Sequence, residues 1–365
     1  MAQIETGVLP IQILRRILRS GNISGVSDKF LNPASMDLPI SDEAYRLESI
    51  FLPTRGGKVR PFIRKAGGKA HDLRSPLEVG VPYLIRIEGK YEFPPNVYGY
   101  VNPKSSTGRV NLLCRVVADK VEMYDALTPE GWSGEMWVLV RANSFPVLLS
   151  KGQAVSQLRL FDGKTFLDPL DLNLAIREHG ILFHQNGNRF RGKEIMKHDD
   201  SLLLTLRANK GVIGWECRGT NKVLDFGKLA YYRPEDFFES IESVKDSLKL
   251  REGSFYILTT DECVLVPPEL SAELRPIDVR LGEFRSHAAG YIDPGWGWGK
   301  DGSVPGRPIT LEVRVFEDRT FYHGQTIARI RYERMKHVPT KVYDVARSHY
   351  TMQDAAKLSK HFLDT

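Results

Sequence analysis

The 365-residue chain repeats itself. Gly80-Val81-Pro82-Tyr83-Leu84 returns as Gly253-Ser254-Phe255-Tyr256-Ile257, and the same offset carries Phe93-Pro94-Pro95 onto Val266-Pro267-Pro268. Gly131-Trp132 then recurs as Gly295-Trp296, and Lys151-Gly152-Gln153 as His323-Gly324-Gln325. Four anchors in one order mark a tandem duplication. At 42% hydrophobic residues the chain can fill two cores. We therefore expect two homologous domains, residues 1–190 and 191–365, joined within the polar stretch Asn186 to Asp200.

Each copy reads as mainly β. Short apolar runs are punctuated by Gly, Pro and Asn, the signature of a sandwich, barrel or jelly roll. Helical periodicity is confined to a few places. Ile11, Leu14, Ile17 and Leu18 follow Leu9-Pro10 with arginines opposite and Gly21 as a stop. Further helices are expected over Asp171 to His179, over Pro234 to Leu248 (Phe237, Phe238, Ile241, Val244 and Leu248 at spacings near 3–4), and from Gln353 to about Phe362.

The net charge of +6 is spread along the chain with no block of like charges, which gives no nucleic-acid face. Cys114, Cys217 and Cys263 lie far apart without CxxC pairs. That excludes a disulfide framework and the His/Cys/Cys zinc set of the better-known cytidine deaminases, and fits a reducing cytoplasm. No apolar run approaches the length that spans a bilayer.

Two stretches could carry chemistry. Pro103-Lys104-Ser105-Ser106-Thr107-Gly108-Arg109 offers adjacent hydroxyls, a glycine for close backbone approach and an arginine fork, the parts of a phosphate cradle. Its plainer reading is a Ser/Gly turn with an exposed basic pair. In the strand Pro308 to Val315, alternation sends Ile309, Leu311, Val313 and Val315 to the core and Thr310, Glu312 and Arg314 to the other face. Glu312 there is either a solvated charge near Arg314 or a general acid/base beside a pocket.

Taken in order, these residues resemble the dCTP deaminase/dUTPase family. Asn32-Pro33-Ala34-Ser35-Met36-Asp37-Leu38 resembles its Q/N-P-A-S-x-D-L stretch, and Lys104 to Arg109 its R-S-S-x-x-R phosphate motif. Ala289-Gly290-Tyr291-Ile292-Asp293-Pro294-Gly295-Trp296 resembles A-x-x-I-D-P-G-[WF], with Ile309 to Glu312 as the strand that ends in that family's catalytic glutamate. Tyr322 to Ile327 is similar to Y-P-G-Q-x-I, and His349-Tyr350-Thr351-Met352-Gln353 to the K-Y-x-x-Q lid, with His for Lys. The matches run from about residue 10 to residue 353, leaving the stretch 160–245 poorly covered.

The copies have lost different parts. After the first Gly-Trp the glutamate position falls on Leu139 or Val140, and in the second copy Pro276-Ile277-Asp278-Val279-Arg280 keeps only the arginine of the serine motif. The resemblance implies dUTPase-like domains in a trimer-like arrangement and a homo-oligomer, with one composite set. Lys104, Ser105, Ser106, Arg109 and Arg280 would hold the phosphates. Ala289, Tyr291 and Asp293 would contact the substrate, with backbone near Ala289 reading the base, and Tyr350 and Gln353 would close over it. Glu312 would carry out zinc-free hydrolysis of dCTP to dUTP and ammonia, Mg2+ accompanying the triphosphate. A dUTP diphosphatase, a bifunctional enzyme making dUMP, and a catalytically silent nucleotide sensor are the competing readings.

Overall fold

A computed structural model describes residues 6–209, 211–345, 350–351 and 353–364. The chain forms two compact units, each assembled from separate stretches of its length. The repeat-one unit holds Val8–Lys164, Gly219–Phe237 and the segment from Ser359 onward; the repeat-two unit holds Thr165–Arg218 and Phe238–Leu358 with the residues up to Gly7. The chain thus leaves the first unit upstream of the 190/191 boundary set from the sequence. Leu167, Leu172, Ala175, Ile181 and Leu182 are the reason, since all five are buried in the core of the repeat-two unit.

The repeat-one unit is built on an eight-stranded sheet in the order Leu112–Ala118, Met136–Ala142, Tyr83–Ile87, Met36–Arg46, Ala154–Phe161, Tyr98–Pro103, Ala126–Leu127, with Lys69–Ala70 against Met36–Arg46. Met36–Arg46 pairs with Ala154–Phe161 through its first half and with Tyr83–Ile87 through its second, changing register between Ile40 and Ala44. A bulge of this kind bends a strand around a barrel-like core. The repeat-two unit carries a six-stranded sheet around Phe255–Val264 and Arg307–Val315, and a five-stranded one around Thr326–Arg334 and Leu270–Arg275. Its core is apolar and buried, from Leu204 and Tyr256 to Leu311, Val313 and Ile330.

The duplication is visible atom by atom at the Gly-Gln anchors. Gly152 and Gly324 both sit at φ +80, a conformation that favours glycine. The following glutamine turns back in each copy. The Gln153 side-chain oxygen accepts the Ser150 N–H at 2.9 Å, and that of Gln325 accepts the Tyr322 N–H at 3.0 Å. In both copies the glutamine thereby locks the turn.

Two expected helices form, Ile11–Arg19 and Pro169–His179, the second capped by Asp168, whose side chain accepts the Leu170 and Asp171 N–H groups. Two do not. Over 234–248 the chain makes a short 3-10 turn and the strands Phe238–Glu242 and Ser247–Leu250. Lys245 and Asp246 both have positive φ, with Val244 and Ser247 exchanging N–H···O bonds, which is a tight hairpin turn. The 3–4 spacing there was produced by a β-hairpin whose pairing partners, Val212–Cys217 and Arg319–Tyr322, lie far away in sequence. The stretch from Gln353 to Phe362 is irregular rather than helical, because its backbone bonds elsewhere: the Lys357 N–H donates to Thr310 Oγ1, and the Ala356 carbonyl accepts from Trp215 Nε1. Helical bonds would leave those partners unmet.

One buried charge marks the repeat-two core. Glu262 is 4% exposed, and its carboxyl oxygens accept the Thr205 N–H and hydroxyl, each at 2.8 Å. Burial pushes its pKa up from 4.5 to about 7 against the pull of the Thr205 donors. Between those two values the unfolded chain binds fewer protons than the folded one, so stability falls as pH rises and the loss is complete above about 7. In Glu262→Gln this part of the pH dependence should vanish. Melting temperatures taken from pH 4.5 to 8 check this, and an unaltered slope in the variant would remove Glu262 as its source.

Candidate active site

Glu312 lies in the middle of the strand Arg307–Val315 in the repeat-two unit. Ile309, Leu311, Val313 and Val315 fill the core as their alternation requires, yet the opposite face is not open to water: Thr310 and Glu312 are also buried, Glu312 at 3% exposure. A carboxylate so enclosed needs donors. Glu312 Oε2 accepts the N–H groups of Ala288 and Ala289 at 2.9 and 3.0 Å. Those amides are delivered by the short strand Phe284–Arg285, which pairs with Val315 and Arg314 and turns directly over the glutamate. Small residues make the turn possible: a Cβ on Gly290 would lie 3.0 Å from the Leu274 carbonyl, whose own N–H donates back to Gly290 O at 2.7 Å. Two N–H donors on one oxygen fix the carboxylate's orientation, so it can exchange a proton with a bound molecule without swinging away.

The Asp293-Pro294-Gly295-Trp296 stretch continues from there. Tyr291 and Ile292 pair with Glu273 and Ala272 and are buried, and Asp293 is half-buried. Gly295 sits at φ +86 with Val342 only 2.6 Å from where a Cβ would stand, so this turn accepts no side chain. The glycine-rich insertion Gly297 to Gly306 acquires a role. Asp344 accepts the Gly299 N–H at 2.7 Å and pairs with Arg307 at 3.2 Å, both side chains largely buried. The Tyr343 ring packs on Trp296 at 5.2 Å, and its N–H donates to Pro294 O. The insertion thereby anchors the chain just ahead of the expected lid. Within that lid Tyr350 is buried in the core, and Gln353 Nε2 donates to the Pro308 carbonyl at 2.8 Å. Gln353 and Lys357 thus clamp the Glu312 strand at Pro308 and Thr310. His349 and Met352 lie outside the described residues.

The repeat-one unit contains the serine motif. Tyr98–Pro103 runs into a single helical turn, Ser105–Gly108, with the Thr107 and Gly108 N–H groups donating to the Lys104 carbonyl and Thr107 Oγ1 to the Val155 carbonyl. Ser106 and Arg109 are buried, Lys104 and Ser105 half-buried. The Lys104 ammonium pairs with Asp37, which also accepts from Asn32 Nδ2 at 2.8 Å, while Ser35 Oγ donates to Gln157 at 2.9 Å. The early Asn-Pro-Ala-Ser-x-Asp stretch therefore positions the lysine that precedes the serine turn, a role the sequence reading did not assign to Asp37. Hydroxyls, an ammonium and a guanidinium in one turn are suited to an anion.

Sheet register shows what each copy lost. Tyr83 pairs with Val140 and Leu84 with Leu139, while Tyr256 pairs with Val313 and Ile257 with Glu312. Since Tyr83 and Tyr256 are equivalent, Leu139 stands where the second copy has Glu312. Leu139 is buried with Leu84, Val117 and Trp137 beneath Val59 and Ile63 of the helix Val59–Lys65 and its capping residue Ala66, so an apolar plug occupies the matching face. In the repeat-two unit the counterpart of the serine turn is closed differently. Asp278 accepts the Arg280 N–H and both prongs of its guanidinium, at 2.6 to 3.0 Å, and that pair holds the Asp278 carboxyl well below the usual range. Arg280 was expected to hold phosphate. Its side chain is 79% exposed, and among the described residues its hydrogen bonds go to Asp278. Ala289, expected to read the base through its backbone, has its N–H engaged by Glu312.

Among the described residues no three His, Cys, Asp or Glu side chains gather as metal ligands, and no helix is long and apolar enough to cross a membrane. The plug at Leu139 yields a direct expectation. Leu139→Glu would bury a carboxylate among apolar side chains and should destabilise the repeat-one unit by about 3 kcal/mol or more. Urea unfolding measures this; a variant as stable as the parent would show that the face can open.

Comparison with known proteins agrees with this geometry. Residues 5–164 match the family model of the 2′-deoxycytidine 5′-triphosphate deaminase (DCD) N-terminal domain, and residues 182–362 that of its C-terminal domain. The crystal structure of 2′-deoxycytidine 5′-triphosphate deaminase from Agrobacterium tumefaciens is similar over 92% of this chain and 97% of that one, with a TM-score of 0.82 and 29% identity. No curated protein matches the chain. With both halves accounted for, the chain belongs to the 2′-deoxycytidine 5′-triphosphate deaminase family.

Proposed function

We propose that Glu312 performs the proton transfers in hydrolytic deamination of dCTP, the reaction that family membership assigns to this chain. The observation that carries the assignment is the buried Glu312 carboxylate pinned by the Ala288 and Ala289 N–H groups. Glu312 takes a proton from water as its oxygen bonds to C4 of cytosine. It passes that proton to N3, then takes the remaining proton of the new C4 hydroxyl and delivers it to the departing amine, so that the C4–N bond breaks and dUTP and ammonia leave. Lys104, Ser105, Ser106 and Arg109 bind the phosphate chain. Mg2+ enters with the nucleotide as part of the substrate, since that turn supplies cations and hydroxyls rather than metal ligands. Tyr291, Asp293 and the segment with Tyr350 and Gln353 surround the reacting base and keep water out. The reading includes a homo-oligomer and a cytoplasmic setting, the latter supported by three free cysteines, two of them buried.

Glu312→Gln should abolish ammonia release while dCTP still binds, because the amide keeps the shape and loses the proton-accepting oxygen. Ser105→Ala should weaken dCTP binding by about tenfold, the worth of one hydrogen bond to a charged group. Coupled ammonia assay and calorimetry read the two effects. Full turnover in the Gln variant would sink the role of Glu312, and pyrophosphate released from dUTP would point to the diphosphatase reading instead. Metal analysis of active protein is expected to find zinc well below one ion per chain; stoichiometric zinc would overturn the zinc-free route.

A further inference from the structure

The two amides that hold Glu312 belong to a turn that closes on one side chain. His287 directly precedes Ala288 and Ala289, whose N–H groups donate to Glu312 Oε2 at 2.9 and 3.0 Å. Three residues on, Gly290 returns against the His287 ring: a Cβ there would stand 3.0 Å from Cδ2 and 3.4 Å from Nε2. The Leu274 carbonyl closes the other side, also 3.0 Å from that position, and the Leu274 N–H donates to Gly290 O at 2.7 Å. The imidazole thus spans the start and the end of the turn, while the strand Leu270–Arg275 fixes its far end.

The ring holds this place by packing. Among the described residues its buried Nδ1 has no hydrogen-bond partner. Burial pushes its pKa down from 6.5 to about 4, with Glu273 pulling it up and Arg275 and Arg285 pushing it further down. Near neutral pH the ring is therefore uncharged and acts on the turn through its volume. Tight returns of the chain are commonly locked by Asn, Asp or Ser side chains bonding to nearby backbone. Here the Ala288 and Ala289 N–H groups are committed to Glu312, so the turn takes its shape from what fills it.

We propose that His287 is a positioning residue for the deamination, its ring being the wedge that keeps the Ala288 and Ala289 N–H groups aimed at Glu312. This rests on the reading of Glu312 as the group that transfers protons. With the ring removed, the two peptide planes gain room to rotate, and a hydrogen bond weakens steeply as its angle closes. The carboxylate then loses its orientation and the reaction loses rate, although no group that touches substrate has been removed.

Steady-state kinetics of the full-length protein across pH, with melting temperature as the control for folding, test this. His287→Ala should lower kcat about a hundredfold and leave KM for dCTP within about threefold. The acid limb of kcat/KM should move to higher pH, because a carboxylate with weakened donors takes up a proton more readily. His287→Leu, close in volume and without a ring nitrogen, should recover most of kcat and return the acid limb, whereas the smaller His287→Asn should not. Parent kcat and acid limb in His287→Ala, with Glu312→Gln inactive, would overturn the role of His287 alone; full turnover in Glu312→Gln would overturn the reading of Glu312 as well. Lack of recovery in the Leu variant would overturn the wedge, and recovery in the Asn variant instead would assign the role to the ring nitrogen. If His287→Ala does not fold, Gly290→Ala, whose methyl would meet the ring at 3.0 Å, has to show the same fall in kcat and the same shift of the acid limb for the proposal to stand.

Discussion

A carboxylate buried in the middle of a β-strand has to be met by donors that its own sheet does not supply, and the repeat-two unit is organised around that need. The Ala288 and Ala289 N–H groups meet Glu312, and each neighbouring feature serves their placement. The strand Phe284–Arg285 sets their height, Gly290 allows the turn to close on Leu274, and Tyr291–Ile292 returns the chain to the sheet. Gly295 and Trp296 then seat Val342 and Tyr343, and Asp344 ties that seat to the insertion through Gly299 and Arg307. The loss of any one of these would be felt at the carboxylate through backbone rather than through side-chain contact.

The two copies show how a duplicated fold divides its work. Both keep the same pairing geometry, down to the glutamine that locks the Gly-Gln turn. They differ in what covers one sheet face. Where the second copy keeps Glu312, the first has Leu139 under the helix Val59–Lys65, an apolar filling that removes any need for polar donors. Where the first copy keeps serines, the second has Asp278, whose carboxylate occupies the fork of Arg280 much as a phosphate would. An internal carboxylate and an apolar plug are two physically different ways of filling equivalent positions of one fold.

Much of the site was legible in the sequence because it is carried by short, contiguous motifs. Glu312 could be placed on the face opposite Ile309, Leu311 and Val313 by alternation alone, and the serine turn followed from residue chemistry. The contacts of Asp37 and Ser359 were not legible, since each acts on a turn far away in sequence and no local pattern announces it. The pairing of Arg280 with Asp278, two residues earlier, was likewise not announced by any pattern in the sequence.

What the sequence determined by itself was the duplication, the mainly β character, the position of Glu312 and the serine motif, because these depend on spacing and on residue type. The tertiary structure decided everything that depends on long-range pairing. Phe238 to Leu250 became a hairpin because strands distant in sequence take its backbone bonds, and the stretch beyond Gln353 stayed irregular because Thr310, Trp215 and the Ala230–Tyr232 backbone hold it. Only sheet register showed that Leu139, and not Val140, stands in the place of Glu312. Periodicity reports which residues share a face; it carries no information about which other segment will lie against it.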